Sequence, residues 1–356
     1  MWEHLKSSDK KIVLYGTGNA CERIMRLMDA RGLKPASIFA SDDFVRGQIF
    51  HGIPVESYSA VKSRFGADGM IVLLCFGTHR AEVLANIEKI ASETEFLAPD
   101  IAVVPEFDGS GNEIVFDKAF MEANSERISA LRGMLEDEQS VRVFDSVISY
   151  RLSGDIGYLR ACETSPEIPW SLAIERRNAM GMKCSSLLDL GAYTGDTAEL
   201  FMSLQEGLRT FVTAVEPDDR NFIRLRDKYA EKGDMRLIHA AAGESEGTAL
   251  FSQGGGRGSL QKKKREVQVV TIDSLCKDFV PDVIKLDIVG MEAEALRGGH
   301  SFISSHAPAL IVSAYHRVSD MWELPLLIKS FRNDYRIYLR RSPCVPNWEL
   351  EYLFVL

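Results

Sequence analysis

Along the first hundred residues, short apolar runs typical of buried strands alternate with segments whose apolar residues recur at helical spacing. The run "KIVLY" is apolar and rich in β-branched residues, which favours a buried strand, and "ACERIMRLMDARG" repeats apolar residues at helical spacing. The runs "ASIFASDD", "GIPV" and "GMIVLLCF" predict further strands, and "RAEVLANIEKIAS" predicts another helix. Strands that alternate with helices indicate parallel βαβ units.

A second series of the same kind begins near residue 184. Its predicted strands are "SSLLDLG", "TFVTAVEP", "MRLIHAAAG", "DVIKLDIVG", "PALIVSAYH", "YRIYLRR" and "LEYLFVL". Two alternating runs around a glycine-rich turn, "TALFSQGGGRGSLQKKKREVQVVTIDSL", predict a hairpin inserted in this sheet. No long helix separates the last two strands, so we expect an antiparallel edge.

The stretch between the two series has little strand signal. Turn formers in "FDGSGNE" predict a boundary, and the charge-rich pattern after it predicts two helices of a solvated connector. The sequence therefore predicts two Rossmann-like α/β domains joined by helices. The expected bounds are 1–110 for the first domain, 111–178 for the connector and 179–356 for the second domain.

Composition narrows the class of protein. The chain has 356 residues, 46% of them hydrophobic, and a net charge of −9, which argues against general binding to nucleic acid or anionic membranes. No apolar run is long enough for a spanning helix, and the six cysteines are scattered, as expected for reduced, buried thiols. We expect a cytoplasmic enzyme, and a homodimer is compatible with the sequence.

The turn in "LLDLGAYTGDTAELF" carries the clearest candidate chemistry. A dinucleotide site requires G-x-G-x-x-G, whereas here Asp189 precedes Gly191 and the next glycine is Gly195. S-adenosylmethionine has no phosphate, and its ammonium group tolerates an acid at this position. Asp189 is expected to face that ammonium, and the two glycines would let the backbone lie close to the cofactor.

Residues at the ends of the next strands complete the expected cofactor site. Glu216 is placed to bind the ribose hydroxyls, and small residues after the third strand suit a loop beside the adenine. The predicted cofactor-binding residues are Asp189, Gly191, Ala192, Tyr193, Gly195, Asp196, Thr197, Glu216, Pro217, Ala241, Ala242 and Asp287.

With these residues in place, the chain resembles the FkbM family of S-adenosylmethionine-dependent methyltransferases over roughly residues 180–356. The motifs that carry the resemblance include "LLDLGAYTGDT", "HAAAGESEGTALF", "IKLDIVGMEAEALRGG" and "SAYHRVSDMWELPLLIKSF". The resemblance implies a seven-stranded class I methyltransferase sheet and O-methylation of glycans or natural products. It does not identify the acceptor.

One position departs from the family pattern. The family commonly has Asp-x-Glu-Gly after the fourth strand, but here the third residue of the motif is Val289. Loss of this carboxylate would alter acceptor binding, remove a polar contact to the cofactor or weaken catalysis. The alternative is that Val289 packs inward.

Three residues are candidates for catalysis. His316 follows the fifth strand, where open α/β sheets bind ligands, and matches the family's Tyr-His pair, so it is the candidate general base. Asp287 would order the cofactor or act as a base, and Glu292 is expected to reach the site from the next helix. No metal is expected. Arg257, in "GGGRGS", would recognise an anionic acceptor if this segment is not simply a hairpin tip.

The N-terminal glycine turn is a weaker candidate for a site. Gly16 and Gly18 match two positions of a dinucleotide motif, but Cys21 takes the place of the third glycine. This half resembles Rossmann-like nucleotide or nucleotide-sugar binding domains found beside some FkbM modules. Two other functions therefore stay open: a nucleotide-binding scaffold with a degenerate methyltransferase half, and an NAD-dependent sugar oxidoreductase.

Overall fold

The apolar runs form strands in the computed structural model of the protein, which describes residues 1–205, 207–230, 233–252 and 264–356. The strands are β1 Lys11–Tyr15, β2 Ser37–Ala40, β3 Ile49–Phe50, β4 Ile53–Ser57, β5 Met70–Leu74, β6 Glu95–Leu97, β7 Ser186–Leu190, β8 Phe211–Val215, β9 Met235–Ile238, β10 Ala241–Ala242, β11 Gly247–Ser252, β12 Lys264–Val270, β13 Val283–Leu286, β14 Ala309–Ser313, β15 Arg336–Arg341 and β16 Leu350–Val355. The helices are α1 Trp2–Ser7, α2 Asn19–Asp29, α3 Tyr58–Phe65, α4 Ala81–Glu93, α5 Lys118–Ala123, α6 Ser125–Arg132, α7 Glu138–Ser153, α8 Gly157–Arg160, α9 Ile168–Ala179, α10 Asp196–Leu204, α11 Asp219–Tyr229, α12 Ile272–Leu275, α13 Glu292–Arg297, α14 His300–His306 and α15 Asp320–Phe331.

The chain divides into two compact units. The first contains residues 1–124, 142–163 and 343–348, and the second contains residues 125–141, 164–342 and 349–356. The predicted connector, 111–178, is therefore shared between the two units, and its stretch 119–152, where two helices are predicted, contains parts of three, α5, α6 and α7.

The first unit is built on a Rossmann-like sheet with strand order β3-β4-β2-β1-β5-β6. Strand β1 pairs in parallel with β2 and β5, as the βαβ pattern predicts. Gly16, with φ of +103°, follows β1 and would not accept a side chain, because a Cβ there would collide with the ring of Phe76. Cys21 is fully buried in the core of this unit.

The second unit contains a seven-stranded sheet with strand order β15-β16-β14-β13-β7-β8-β9. Strand β16 is antiparallel to both β14 and the edge strand β15, which confirms the antiparallel pairing expected at this side. Leu187, Val283, Ile311 and Leu353 from four neighbouring strands form one face of its core, with Phe201 of α10 packed in the same cluster. The carboxyl ends of the central parallel strands consequently lie along one edge.

The glycine-rich hairpin departs from its predicted place. Strands β11 and β12 pair with each other and with β10 in a separate three-stranded sheet, ordered β10-β12-β11, and are not inserted in the seven-stranded sheet. Alternation of residue types predicts a strand but not its pairing partner, which explains the error. The segment "GGGRGS", with Arg257, lies outside the described residues.

Two other expectations concern the cysteines and the absence of a membrane-spanning helix. All six cysteines are buried and unbridged, as expected. No helix among the described residues is both long and apolar enough to cross a membrane.

Candidate functional site

The turn after β7 depends on its two glycines for different reasons. Gly191 has φ of +87°, and a Cβ at this position would collide with the carbonyl oxygen of Asp287, on the loop after the neighbouring strand. Gly195 has φ of +86° at the start of α10, where a Cβ would collide with the ring of Tyr229. The Tyr229 hydroxyl donates a 3.0 Å hydrogen bond to the Gly195 carbonyl. Both glycines thus permit close approach within the protein itself.

Asp189 is a buried acid whose carboxylate has no hydrogen-bonding partner among the described residues. It lies on β7, is fully buried, and neither carboxylate oxygen accepts a hydrogen bond from any described residue. Burial raises the pKa of Asp189 to about 7, Lys285 opposes the rise, and Asp196, Asp287 and Glu216 add to it. A buried acid in this state is costly unless a cationic group pairs with it, so Asp189 is a strong candidate for ligand binding.

Glu216 ties the ends of β7 and β8 together. One of its carboxylate oxygens accepts a 2.9 Å hydrogen bond from the backbone N–H of Tyr193, and the other accepts a 2.8 Å bond from that of Asp218. Burial raises the pKa of Glu216 to about 7, although these N–H donors favour its ionised form. Tyr193 itself has φ of +47° and is 50% exposed.

The other residues predicted to bind the cofactor lie in several different environments. The side chain of Ala192 is buried in the hydrophobic core. Asp196 and Thr197 begin α10, where the Asp196 carboxylate accepts a 3.0 Å hydrogen bond from the Thr197 backbone. The Pro217 carbonyl lies 3.3 Å from the His239 imidazole. Ala241 and Ala242 form β10, in the three-stranded sheet rather than at the end of a strand of the seven-stranded sheet.

The loop after β13 is held by a buried carboxylate. Glu292, only 1% exposed, accepts 2.9 Å hydrogen bonds from the backbone N–H groups of Ile288 and Gly290. From the other side, the Arg317 guanidinium donates two hydrogen bonds, of 3.0 and 2.7 Å, to the Gly290 carbonyl. Glu292 therefore shapes the loop and is not presented to solvent.

This loop presents Val289 to solvent in a strained conformation. Val289 has φ of +52° and is 57% exposed, so the alternative in which it packs inward is wrong. A β-branched residue is rarely stable in the left-handed region, and the hydrogen bonds on both sides of Val289 hold it there. The position of the missing family carboxylate is thus an exposed one at the edge of the site.

Replacing Val289 with asparagine, which tolerates left-handed φ, is expected to raise the free energy of unfolding by about 1 kcal/mol. Val280→Asn is the matched control, because Val280 is exposed to a similar extent (58%) and has no positive φ. Chemical denaturation of both variants and the wild type measures the difference. If the two substitutions change stability equally, backbone strain at Val289 is refuted.

His316 lies between two carboxylates. Its Nδ1 is 2.9 Å from Glu292 Oε1, and its Nε2 is 3.4 Å from Asp287 Oδ1. Burial alone would lower the pKa of His316, but Glu292, Asp287 and Asp320 raise it above its ordinary value. Asp287, Glu292 and His316 bring three ligand-type atoms within 4.8 Å of one another. Each carboxylate is close to a different nitrogen of the ring, so the imidazole is held between the two carboxylates.

Several polar residues at this edge were not singled out from the sequence. Lys285 is buried on β13, and the Tyr315 hydroxyl donates 3.3 Å hydrogen bonds to both oxygens of Asp287. Burial raises the pKa of Glu349 to about 7, with Asp287 and Glu351 adding to the rise. The one available signal for Lys285 was a cation inside the apolar strand "VIKL".

The sheet and its polar edge define a methyltransferase fold, with seven strands, one of them reversed, and candidate ligand-binding residues after β7, β8, β13 and β14. Residues 189–337 match the family model of the methyltransferase FkbM domain. The resemblance noted from the sequence is thereby confirmed.

One solved structure agrees with this assignment of the fold. The methyltransferase FkbM from Methylobacillus flagellatus KT is 22% identical, with a TM-score of 0.71 over 99% of this chain and 92% of that chain. The precorrin-6y C5,15-methyltransferase from Geobacter metallireducens is 10% identical, with a TM-score of 0.33 over 53% of this chain and 86% of that chain. A comparison with curated protein sequences finds no match.

Proposed function

We propose that the second unit transfers a methyl group from S-adenosylmethionine to a hydroxyl group of a sugar, a glycan or a natural product. One observation carries most of the proposal: Asp189 is a fully buried carboxylate at the end of β7 with no hydrogen-bonding partner among the described residues. The ammonium group of the cofactor's methionine moiety would satisfy it.

The residues around Asp189 fit the rest of this cofactor. Glu216, which already holds the Tyr193 backbone, has further lone pairs to accept hydrogen bonds from ribose hydroxyls. The acidic character of the edge, with Asp189, Asp196, Glu216 and Asp287 close together, favours a cationic cofactor over a pyrophosphate. When bound, S-adenosylmethionine supplies an electrophilic methyl group on a sulfonium.

Asp287 is placed to orient the acceptor hydroxyl, and His316 is placed to receive its proton. The Asp287 side chain is 32% exposed, whereas that of His316 is 3% exposed, so the acceptor hydroxyl meets Asp287 first. Burial alone would raise the pKa of Asp287, but Lys285, His316 and Tyr315 hold it below its ordinary value, so Asp287 stays ionised and orients the hydroxyl. Glu292 favours a proton on Nδ1 of His316, which leaves Nε2 to receive the acceptor proton.

The negative charge at the carboxyl edge of the seven-stranded sheet also restricts which acceptors can bind. Burial, Asp287 and Glu351 raise the pKa of Glu349, and Lys285 opposes only part of this rise. An anionic group next to the reacting hydroxyl would be repelled. We therefore propose an acceptor that is neutral at its reacting end, such as a sugar ring, with any phosphate farther away.

Replacing Glu292 with glutamine is expected to move the acid limb of the pH–rate profile to lower pH. The raised pKa of His316 means that neutral imidazole, the form that accepts a proton, accumulates only above its ordinary range near 6.5. Loss of the Glu292 charge lowers this pKa, so the rate rises at a more acidic pH in the variant. Transfer of radiolabelled methyl groups, measured across pH, tests this.

Glu294→Gln is the matched control, because it removes the same charge from the same helix, α13. The proton-transfer role of His316 is contradicted if both variants keep the wild-type profile.

The function itself is tested by incubating the protein with radiolabelled S-adenosylmethionine and a panel of neutral sugars and nucleotide-linked sugars. Transfer of label to a hydroxyl supports the proposal. Binding of the cofactor without transfer to any member of a broad panel would instead favour the degenerate scaffold. Transfer to nitrogen or carbon would keep the methyltransferase and refute the O-methylation.

A further inference from the structure

Lys285 is a buried cation between the two halves of the site. It lies on the central strand β13, directly opposite Asp189 on β7, and its side chain is 5% exposed. Its Nζ is 3.0 Å from Glu351 Oε1, 3.2 Å from Ser313 Oγ and 3.4 Å from Asp287 Oδ2. Burial alone would lower the pKa of Lys285, but Asp287, Glu351 and Asp189 raise it well above its ordinary value.

Lys285 has more acidic neighbours than the single carboxylate of a simple ion pair. Glu351 on β16 and the Ser313 hydroxyl on β14 already satisfy the ammonium, yet Asp189 and Asp287 also lie within its influence. Burial disfavours the ionised form of Asp189 on β7, and Asp196 of α10, Asp287 and Glu216 at the end of β8 add to this effect. Lys285 acts in the opposite direction.

We propose that Lys285 is a positioning residue, a single cation that favours the ionised forms of both the cofactor carboxylate Asp189 and the acceptor-side carboxylate Asp287. This inference rests on the proposed function for its catalytic meaning. An ammonium ligand pairs only with the ionised form of Asp189, so Lys285 supports cofactor binding without touching the cofactor. The same charge keeps Asp287 available to orient a hydroxyl.

The first measurement is calorimetric titration with S-adenosylhomocysteine, which retains the ammonium group, from about pH 5.5 to about pH 9. For the wild type, we expect affinity to rise through about pH 7 as Asp189 ionises. In Lys285→Met the midpoint is expected to move up by about one pH unit or more, with affinity about tenfold lower at pH 7. Lys285→Arg should restore the midpoint.

A purely structural role for Lys285 would weaken binding equally at every pH, and that result would overturn the inference. Glu351→Gln is expected to shift the pH midpoint of binding in the opposite direction to Lys285→Met. It leaves more of the Lys285 charge uncompensated, so we expect the midpoint to move to lower pH. An unchanged or raised midpoint in Glu351→Gln would also overturn the inference.

A second readout does not require the cofactor. The free energy of unfolding is measured against pH for the wild type, Asp189→Asn, Lys285→Met and the double variant. In each background, the difference made by Asp189→Asn reports where Asp189 titrates in the folded protein. A midpoint that is higher without Lys285 supports the inference even if S-adenosylhomocysteine does not bind, which would count against the proposed function alone. Equal midpoints overturn the role of Lys285.

Discussion

Gly191→Ala is expected to abolish cofactor binding and to destabilise the second unit by about 3 kcal/mol. The added Cβ would collide with the carbonyl oxygen of Asp287, and alanine is strained at φ of +87°. The obstacle is backbone rather than a movable side chain, so the loops after β7 and β13 must separate. That movement would displace Asp189 and Asp287 from each other. Thermal unfolding and titration with S-adenosylhomocysteine measure the two effects.

Gly181→Ala is the control that separates the effect of a Cβ collision from the effect of backbone strain at positive φ. Gly181 has φ of +70°, but a Cβ there meets nothing within 4 Å. The control variant should lose about 1 kcal/mol and retain full affinity for the ligand. Equal losses of stability and affinity in both variants would show that the close contact between the two loops is unimportant.

Asp189→Asn is expected to change stability and binding in opposite directions. A rise of the Asp189 pKa from 3.8 to about 7 means that the folded protein resists ionisation of this group. The shift corresponds to about 4 kcal/mol, an upper bound on the stability gained at pH 8 by a neutral amide. The amide no longer offers a charge to the cofactor's ammonium, so affinity should fall about 30-fold or more.

The sign of the pH dependence follows from the raised pKa. The contribution of Asp189 to the stability of the protein without cofactor is fully present below pH 3.8 and is lost as the pH rises through about 7. The stability advantage of Asp189→Asn should therefore be large at pH 8, smaller near pH 5 and absent below about pH 3.8. Asp227→Asn, at an exposed position on α11, is the control and should leave both stability and affinity unchanged. Loss of stability in Asp189→Asn at pH 8 would contradict this account.

Much of the fold follows from local patterns in the sequence. The apolar run that ends at Leu190 and the helical pattern from Asp196 predict β7, its turn and α10, because periodicity and glycine positions are local signals. The reversed strand β16 also follows, since a short connection precedes it. The separate sheet of β10, β11 and β12 does not, because alternation along a strand does not specify its neighbour.

The candidate site was predictable only where its residues follow strands. Asp189, Asp287 and His316 come together because the carboxyl ends of β7, β13 and β14 share an edge. The relation of Lys285 to Asp189 depends on strand register, which one sequence does not reveal. The clamp of Glu292 on the Val289 loop likewise arises from backbone geometry, where sequence reasoning expected a group facing the ligand.

The most direct test of the central claim is to compare the binding of S-adenosylmethionine and of NAD to the wild-type protein and to Asp189→Asn by calorimetry. The account predicts that S-adenosylmethionine binds the wild type with a micromolar Kd, that Asp189→Asn weakens it about 30-fold or more, and that NAD binding, if present, is insensitive to Asp189. Failure of S-adenosylmethionine to bind the wild type, or equal binding to Asp189→Asn, would contradict it.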